Sequence, residues 1–333
     1  MFSDKYVFRS AFTTDGWIEP SQNNLTPRTL VFYPGNTNKG TAFWQDITPA
    51  ISDAEELYID PFAPNRLEGF SGGGKVWLLW DHLHPRQPSC APFFDSIQQC
   101  ASVSVSLSSD VRQQGSILLQ RQQEALRSAR DALLIARTFL GENLRISARA
   151  LRVDRISRRA DELFAKYIPD SSSGTPVPHS YTRFFSALSA GGRIFCRDTL
   201  LAKADTIIRI EDDCGAAARM LLYLLYRKAT LCGESLCIGR CPLFWPDKID
   251  HLLFCDRRIL FTTGNRYHRL HSHSSRIDCA NDLMYSLNSA EKEQLHRNRL
   301  RSERLFDHAR RNLREVYRLQ TAAAELWEKS LLF

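Results

Sequence analysis

Two stretches of this chain repeat one plan, and that repetition restricts the fold more than any other feature. Asp60-Pro-Phe-Ala-Pro-Asn-Arg-Leu-Glu-Gly69, then Lys75-Val-Trp-Leu-Leu-Trp-Asp-His-Leu-His84, parallels Pro246-Asp-Lys-Ile-Asp-His251, then Arg258-Ile-Leu-Phe-Thr-Thr-Gly-Asn-Arg-Tyr-His268. Each copy has a turn rich in Pro and Asp, an apolar strand, and a polar loop closing on His. An internal duplication is the simplest account. It predicts two related α/β halves, each ending in a helical extension.

At 333 residues the chain is long enough for two ordinary domains. Its 43% hydrophobic and 24% charged content is that of a soluble globular protein. No run approaches the roughly 20 apolar residues of a membrane span. The start, MFSDKYVFRSAF, lacks an apolar signal region, so a cytoplasmic address is expected, without a membrane partner. The nine cysteines are then expected to be reduced.

The organisation follows from turn and periodicity signals. Residues 1–28 read as an irregular lead-in, and 29–110 as an abbreviated first half with a strand at Thr29–Tyr33. Two amphipathic helices over 111–168, with Gly141 as the stop between them, read as an antiparallel hairpin. Residues 169–178 form a Pro/Ser linker. The second half spans 179–286, and a long helix fills 287–333, its apolar positions stepping through Leu305, Ala309, Leu313 and Val316.

Within the second half, Thr206–Glu211 is a β-branched strand running through a short turn into a long apolar helix. That is the layout of a phosphate-binding loop, whose G-x-x-x-x-G-K-[ST] pattern supplies backbone N–H groups, a Lys and a Mg²⁺-binding hydroxyl. Here the turn offers Asp212, Asp213, Cys214 and Gly215, then three alanines and Arg219. Two carboxylates at a helix N-terminus suit its dipole but repel a triphosphate. They are expected to cap the helix and to pair with Arg219 or Arg209; a divalent ion held with Glu211 is the weaker reading.

The duplicated plan resembles a family of bacterial proteins with two tandem P-loop ATPase-like halves. Gly35-Asn36-Thr37-Asn38-Lys39-Gly40 is similar to that family's G-N-T-P-K-G turn. Pro246-Asp247-Lys248-Ile249-Asp250-His251 and Gly264-Asn265-Arg266-Tyr267-His268 are similar to its D-P-D-K-[IL]-[DE]-H and [ST]-N-[KR]-Y-H blocks. The resemblance implies an α/β fold of two P-loop NTPase-like halves, the first abbreviated. The family's Walker A loops are missing: Ala218 stands where the phosphate-binding Lys is expected, and the first loop looks deleted between Ile47 and Asp60.

The expected function is therefore a degenerate, non-hydrolysing relative that binds or regulates an unidentified protein partner, with no cofactor. Candidate anion-contacting residues are Gly35, Asn36, Thr37, Lys39, Gly40, Gly215, Arg219, Asn265 and His268. Asp212 and Asp213 are the weak candidates for metal. An NTPase or phosphotransferase with an atypical loop, using Lys39 or Lys75 with ATP and Mg²⁺, is the alternative. Gly69–Val76 satisfies G-x₄-G-K but reads better as a glycine-rich hairpin. Nucleic-acid binding through the Arg-rich helices 121–159 and 297–318 is a third class, disfavoured by their interleaved Asp and Glu. His268, His271 and His273 are expected in a mobile surface loop, and Cys232, Cys237, Cys241 and Cys255 as ordinary thiols rather than zinc ligands.

Overall fold

The computed structural model describes residues 5–18, 29–34, 52–62, 67–72, 75–80, 96–99, 108–169, 180–269 and 275–331. Strands in the front part are β1 (Tyr6–Val7), the hairpin β2 (Ala11–Thr13) and β3 (Gly16–Ile18), β4 (Thr29–Pro34), β5 (Glu56–Ile59), β6 (Leu67–Gly72), β7 (Lys75–Trp80) and β8 (Ser96–Gln99). Two helices follow, α1 (Ser109–Ala148) and α2 (Val153–Tyr167). The rear part has β9 (Ser180–Arg183), the hairpin β10 (Ser186–Ser189) and β11 (Gly192–Phe195), α3 (Arg197–Ala202), β12 (Thr206–Glu211), α4 (Ala216–Leu231), β13 (Leu236–Arg240), β14 (Ile249–Phe254), β15 (Ile259–Gly264), β16 (Ser275–Asp278), α5 (Cys279–Asp282) and α6 (Ser289–Leu331). The architecture is mixed α/β.

The two six-stranded sheets match strand for strand. One runs β1-β5-β6-β7-β4-β8; the other, from the corresponding edge, runs β9-β13-β14-β15-β12-β16. In both, two antiparallel steps lie between parallel pairs. Both sheets also break register at the same place, between Tyr58 and Ile59 and between Gly239 and Arg240. A bulge kept in both copies is a shared feature of construction. The duplication expected from the sequence is thus present in the topology.

Residues 5–18 correct the expectation of an irregular lead-in. β1 extends the first sheet on β5, and β2–β3 closes on Gly16 at φ 91°. The segment Phe8-Arg-Ser-Ala-Phe-Thr-Thr-Asp-Gly-Trp-Ile18 is the counterpart of Phe184-Phe-Ser-Ala-Leu-Ser-Ala-Gly-Gly-Arg-Ile194. Thr13 Oγ1 donates to Gly16 O (2.8 Å) and Ser189 Oγ to Gly192 O (2.9 Å), so both turns are fastened alike. The strands were missed because they are two and three residues long, too short to show a period.

Phe8 and Phe184 pair with each other as an antiparallel bridge, with N–H···O bonds of 2.9 and 3.4 Å in the two directions. Equivalent residues meeting reciprocally define a pseudo-two-fold relation, the intramolecular form of an isologous contact. Val7, Phe8, Tyr58 and Ile59 of one half and Phe184, Phe185, Cys237 and Leu253 of the other share one core there. A buried ion pair, Arg183 Nε to Glu56 Oε2 at 2.8 Å, also crosses between the halves.

The expected helical hairpin is also corrected. Gly141 does not stop the first helix; α1 runs through it to Ala148. One glycine costs a helix only about 1 kcal/mol, and here α1 packs along its length on α6. The two run antiparallel, as Arg121–Glu315, Ser128–His308 and Asn143–Leu295 contacts show. Ala125, Ala129, Ala132 and Leu133 face Ala309, Leu313 and Val316. α2 instead lies on α4, burying Ile156, Ala160 and Leu163 against Leu222, Leu225 and Ala229. The long helices following the two sheets therefore pair with each other across the pseudo-two-fold.

Candidate functional site

The strand-to-helix junction after β12 forms as expected, and its chemistry is set by one carboxylate. Gly215 takes the left-handed conformation (φ 77°, ψ 4°) that turns the chain into α4. Asp212 Oδ1 accepts hydrogen bonds from the N–H groups of Cys214 (3.0 Å) and Gly215 (2.8 Å), and Oδ2 accepts from Ala218 (2.9 Å). The free N–H groups of a helix start are what an anion would use. Here an internal anion uses them, and Asp212 is buried.

Asp213 is exposed, and Arg209 pairs with Glu211 at 2.5 Å rather than with Asp212. Arg219 donates its backbone N–H to Gly215 O, and its side chain lines a groove of about 910 Å³ between α1 and α4. A cation does reach the turn, from elsewhere in the chain. A Cβ placed on Gly215 would lie 3.8 Å from Lys248 Cε and 4.0 Å from its Nζ.

The strand equivalence sets β4 against β12. Residues 47–51, within the stretch where the first loop was expected to be deleted, lie outside the described residues. Gly35, Asn36, Thr37, Lys39 and Gly40 lie outside the described residues, as do His271 and His273. Lys75 opens β7 directly across from Gly72, in the hairpin anticipated for Gly69–Val76.

The repeated block converges on a second feature. Lys248 stands just before β14 and Asp250 lies on it; His251 faces Thr262 of β15, Thr263 Oγ1 donates to Asp250 O (3.2 Å), and Asn265–His268 forms the following turn. Asn265 Oδ1 accepts from Tyr267 N (2.8 Å) and His268 N (3.1 Å), which directs His268 inward. His268 is 5% exposed, contrary to the surface loop expected for it. Its ring lies 4.9 Å from His251 and 5.0 Å from Phe195, and His251 stacks on Phe195 at 5.4 Å. His251 Nδ1 meets Thr262 Oγ1 at 2.8 Å, and His268 Nδ1 meets Thr263 Oγ1 at 3.3 Å.

Electrostatics in this cluster follow from burial and one ion pair. Lys248 Nζ sits 2.7 Å from Asp250 Oδ1. Burial alone would raise the Asp250 carboxyl, but Lys248 overrides it and holds it at about 2. For Lys248, burial acts downward and the Asp250 charge prevails, so its ammonium is held above the ordinary value. Burial lowers both histidines, His251 well below its usual range with His268 adding to the effect. At neutral pH both rings are uncharged.

Lys248, Asp250 and His268 line a cavity of about 160 Å³ together with Ser186, Asn265 and Tyr267. The rest of the lining is largely apolar, with Phe12 from the first half, Leu133 and Leu140 of α1, and Phe306 of α6, and it includes Arg193, which is paired with Glu303 at 2.9 Å. Ser186 Oγ lies 3.3 Å from His268 Nε2. The far ring nitrogen meets a threonine hydroxyl rather than a carboxylate, and Asp250 is engaged by Lys248. A serine nucleophile with an oriented base is therefore not assembled. Among the described residues, no group of three or more His, Cys, Asp or Glu is placed to hold a metal ion.

Asn265 and His268 are the anion candidates that the fold brings together; Gly215 and Arg219 belong to the other junction. Sequence reasoning passed over Lys248, Asp250 and Ser186. The first two lie inside the repeated block, and Ser186 matches Ser10 in the duplicated hairpin, so the repeat itself was the available signal. Many arginines on the long helices are ion-paired, among them Arg121–Glu315, Arg297–Glu293 and Arg318–Glu315. No helix among the described residues is long and apolar enough to cross a membrane. No protein-family model, curated protein or solved structure matches the chain.

Proposed function

We propose that this chain is a binding protein that does not hydrolyse nucleotides. The observation that carries the reading is the Asp212 carboxylate, seated on three N–H groups at the start of α4. ATP and Mg²⁺ do not fit there. A phosphate would have to displace a buried carboxylate and lie beside its charge, and the turn supplies neither the Lys nor the hydroxyl that a nucleotide loop uses. The kinship with tandem P-loop ATPases suggested by the motifs is compatible with this reading but is not its basis. The test is thermal unfolding with Mg·ATP at millimolar concentration. The expected result is an unchanged melting temperature, together with no phosphate release above background. A reproducible Mg·ATP-dependent rise removes the proposal.

A further inference from the structure

We propose that the groove between α1 and α4 takes up one helix of a protein partner, an amphipathic helix with acidic flanks. This goes beyond the nucleotide reading, and its test involves no nucleotide, so the two can fail separately.

The shape comes from two helix faces. On α1 the lining steps by threes and fours from Leu134 to Ala148, and on α4 from Ala216 to Tyr223. A trough of about 910 Å³ between two such faces is what a third helix fills. Gly141 lies along it, and a Cβ built there meets nothing within 4 Å, so the trough is open at that point. At about 1.5 Å per residue, the α1 face is about 21 Å long, which sets the occupant at about four helical turns.

The chemistry of the occupant follows from what the walls present. Leu134 is 51% and Tyr223 48% exposed, with Leu144 and Met220 half-buried in the same lining. Apolar side chains so placed ask for an apolar stripe opposite them. Charge then selects the flanks. The groove carries Arg137, Arg145 and Arg219 against one carboxylate, Asp247. Arg145 is engaged by Glu142. Arg137 meets the Thr14 hydroxyl at 2.9 Å and the Phe244 ring, without a carboxylate. Among the described residues, no ion pair or hydrogen bond engages the Arg219 side chain. One guanidinium on each wall therefore stands ready for a carboxylate on either flank of the incoming helix. A nucleic acid would use the arginines but leave Leu134, Leu144 and Met220 without an apolar partner, which favours a peptide.

The experiment is fluorescence anisotropy of the full chain with a labelled, Ala-based peptide of four turns, carrying one Leu stripe flanked by Glu. That peptide should bind. Its Lys-for-Glu version, a scrambled version with the Leu stripe dispersed, and a single-stranded oligonucleotide should each bind at least tenfold more weakly. Gly141→Trp should abolish peptide binding; Trp is a better helix residue than Gly, so thermal unfolding should be unchanged or raised. Arg219→Glu should weaken the acidic peptide about tenfold and strengthen the Lys version. The peptide series on the unsubstituted chain and the Arg219→Glu exchange decide the matter even if Gly141→Trp does not fold. No binding of the acidic peptide, equal binding of the Lys or scrambled version, tighter binding of the oligonucleotide, no effect of Arg219→Glu, or peptide binding unchanged in folded Gly141→Trp would each overturn the proposal.

Discussion

Replacing Asp212 by Ala tests whether the helix cradle is filled from within. The substitution deletes the acceptor for three N–H groups, at 3.0, 2.8 and 2.9 Å. Loss of an ordinary helix cap costs about 0.5–2 kcal/mol. Here the Gly215 and Ala218 N–H groups belong to buried residues, so each is stranded at about 1–3 kcal/mol. Together the expected loss is about 3–5 kcal/mol. At about 2 cal/mol/K per residue, unfolding entropy for a chain of this length is near 0.7 kcal/mol/K, so the melting temperature should fall by about 4–7 °C. Scanning calorimetry reads this directly, and inorganic phosphate supplies the second arm. With the carboxylate gone and Lys248 Nζ close to Gly215, phosphate should restore part of the loss in Asp212→Ala and leave the unsubstituted protein unchanged. A fall below about 1 °C, or equal phosphate stabilisation of both proteins, refutes the reasoning.

Two further outcomes follow from buried charge. His251 and His268 are held uncharged in the fold, mainly by burial. Above about pH 6.5, the unfolded value, neither state carries the proton and stability is unaffected. As the pH falls below it, the unfolded chain binds protons that the fold refuses, and stability drops by up to about 1.4 kcal/mol per pH unit for each ring. Urea unfolding at pH 7.5 and 5.5 should show this, with a shallower dependence in His268→Gln; identical stabilities at the two pH values would contradict it. Glu56→Ala leaves Arg183 buried without its partner and should cost about 3–5 kcal/mol, whereas Glu56→Leu with Arg183→Met should recover most of that. A double-mutant cycle in urea decides it, and equal losses in the single and double variants would count against the pair.

What was legible in the sequence is what a short periodic segment can carry. Thr206–Glu211 and the helix after it were readable because β-branched residues give way to an apolar run at a glycine. The C-terminal helix was readable from its three-and-four stepping, and Gly69–Val76 from its glycines. Gly141 misled because a helix stop and a tolerated mid-helix glycine look alike locally; the partner that decides, α6, begins at Ser289. His268 misled in the same way. Its polar neighbours read as a surface loop, yet Asn265 Oδ1 folds the turn back and places the ring against Phe195 and His251. The contact between Ser186 and His268 joins residues 82 apart and has no local signature.

The duplication also explains why the chemistry gathers on one side. A pseudo-two-fold requires like residues only where the copies touch, and there the chain keeps Phe8 opposite Phe184 and α1 opposite α6. Away from that contact the copies are free to diverge. In the first half, Ser10 Oγ donates to Glu68 at 3.1 and 3.2 Å, so hydroxyl and carboxylate satisfy each other. In the second half the matching serine turns to His268, and Asp250, the counterpart of Glu68, pairs with Lys248 instead. The first half nonetheless contributes Phe12 to the cavity lined by His268, beside Leu188 of the equivalent strand. Its hairpin therefore forms a wall of the site in the second half. Removing the front copy should then open the cavity as well as destabilise the fold, which makes the pairing of unequal halves a condition for the site.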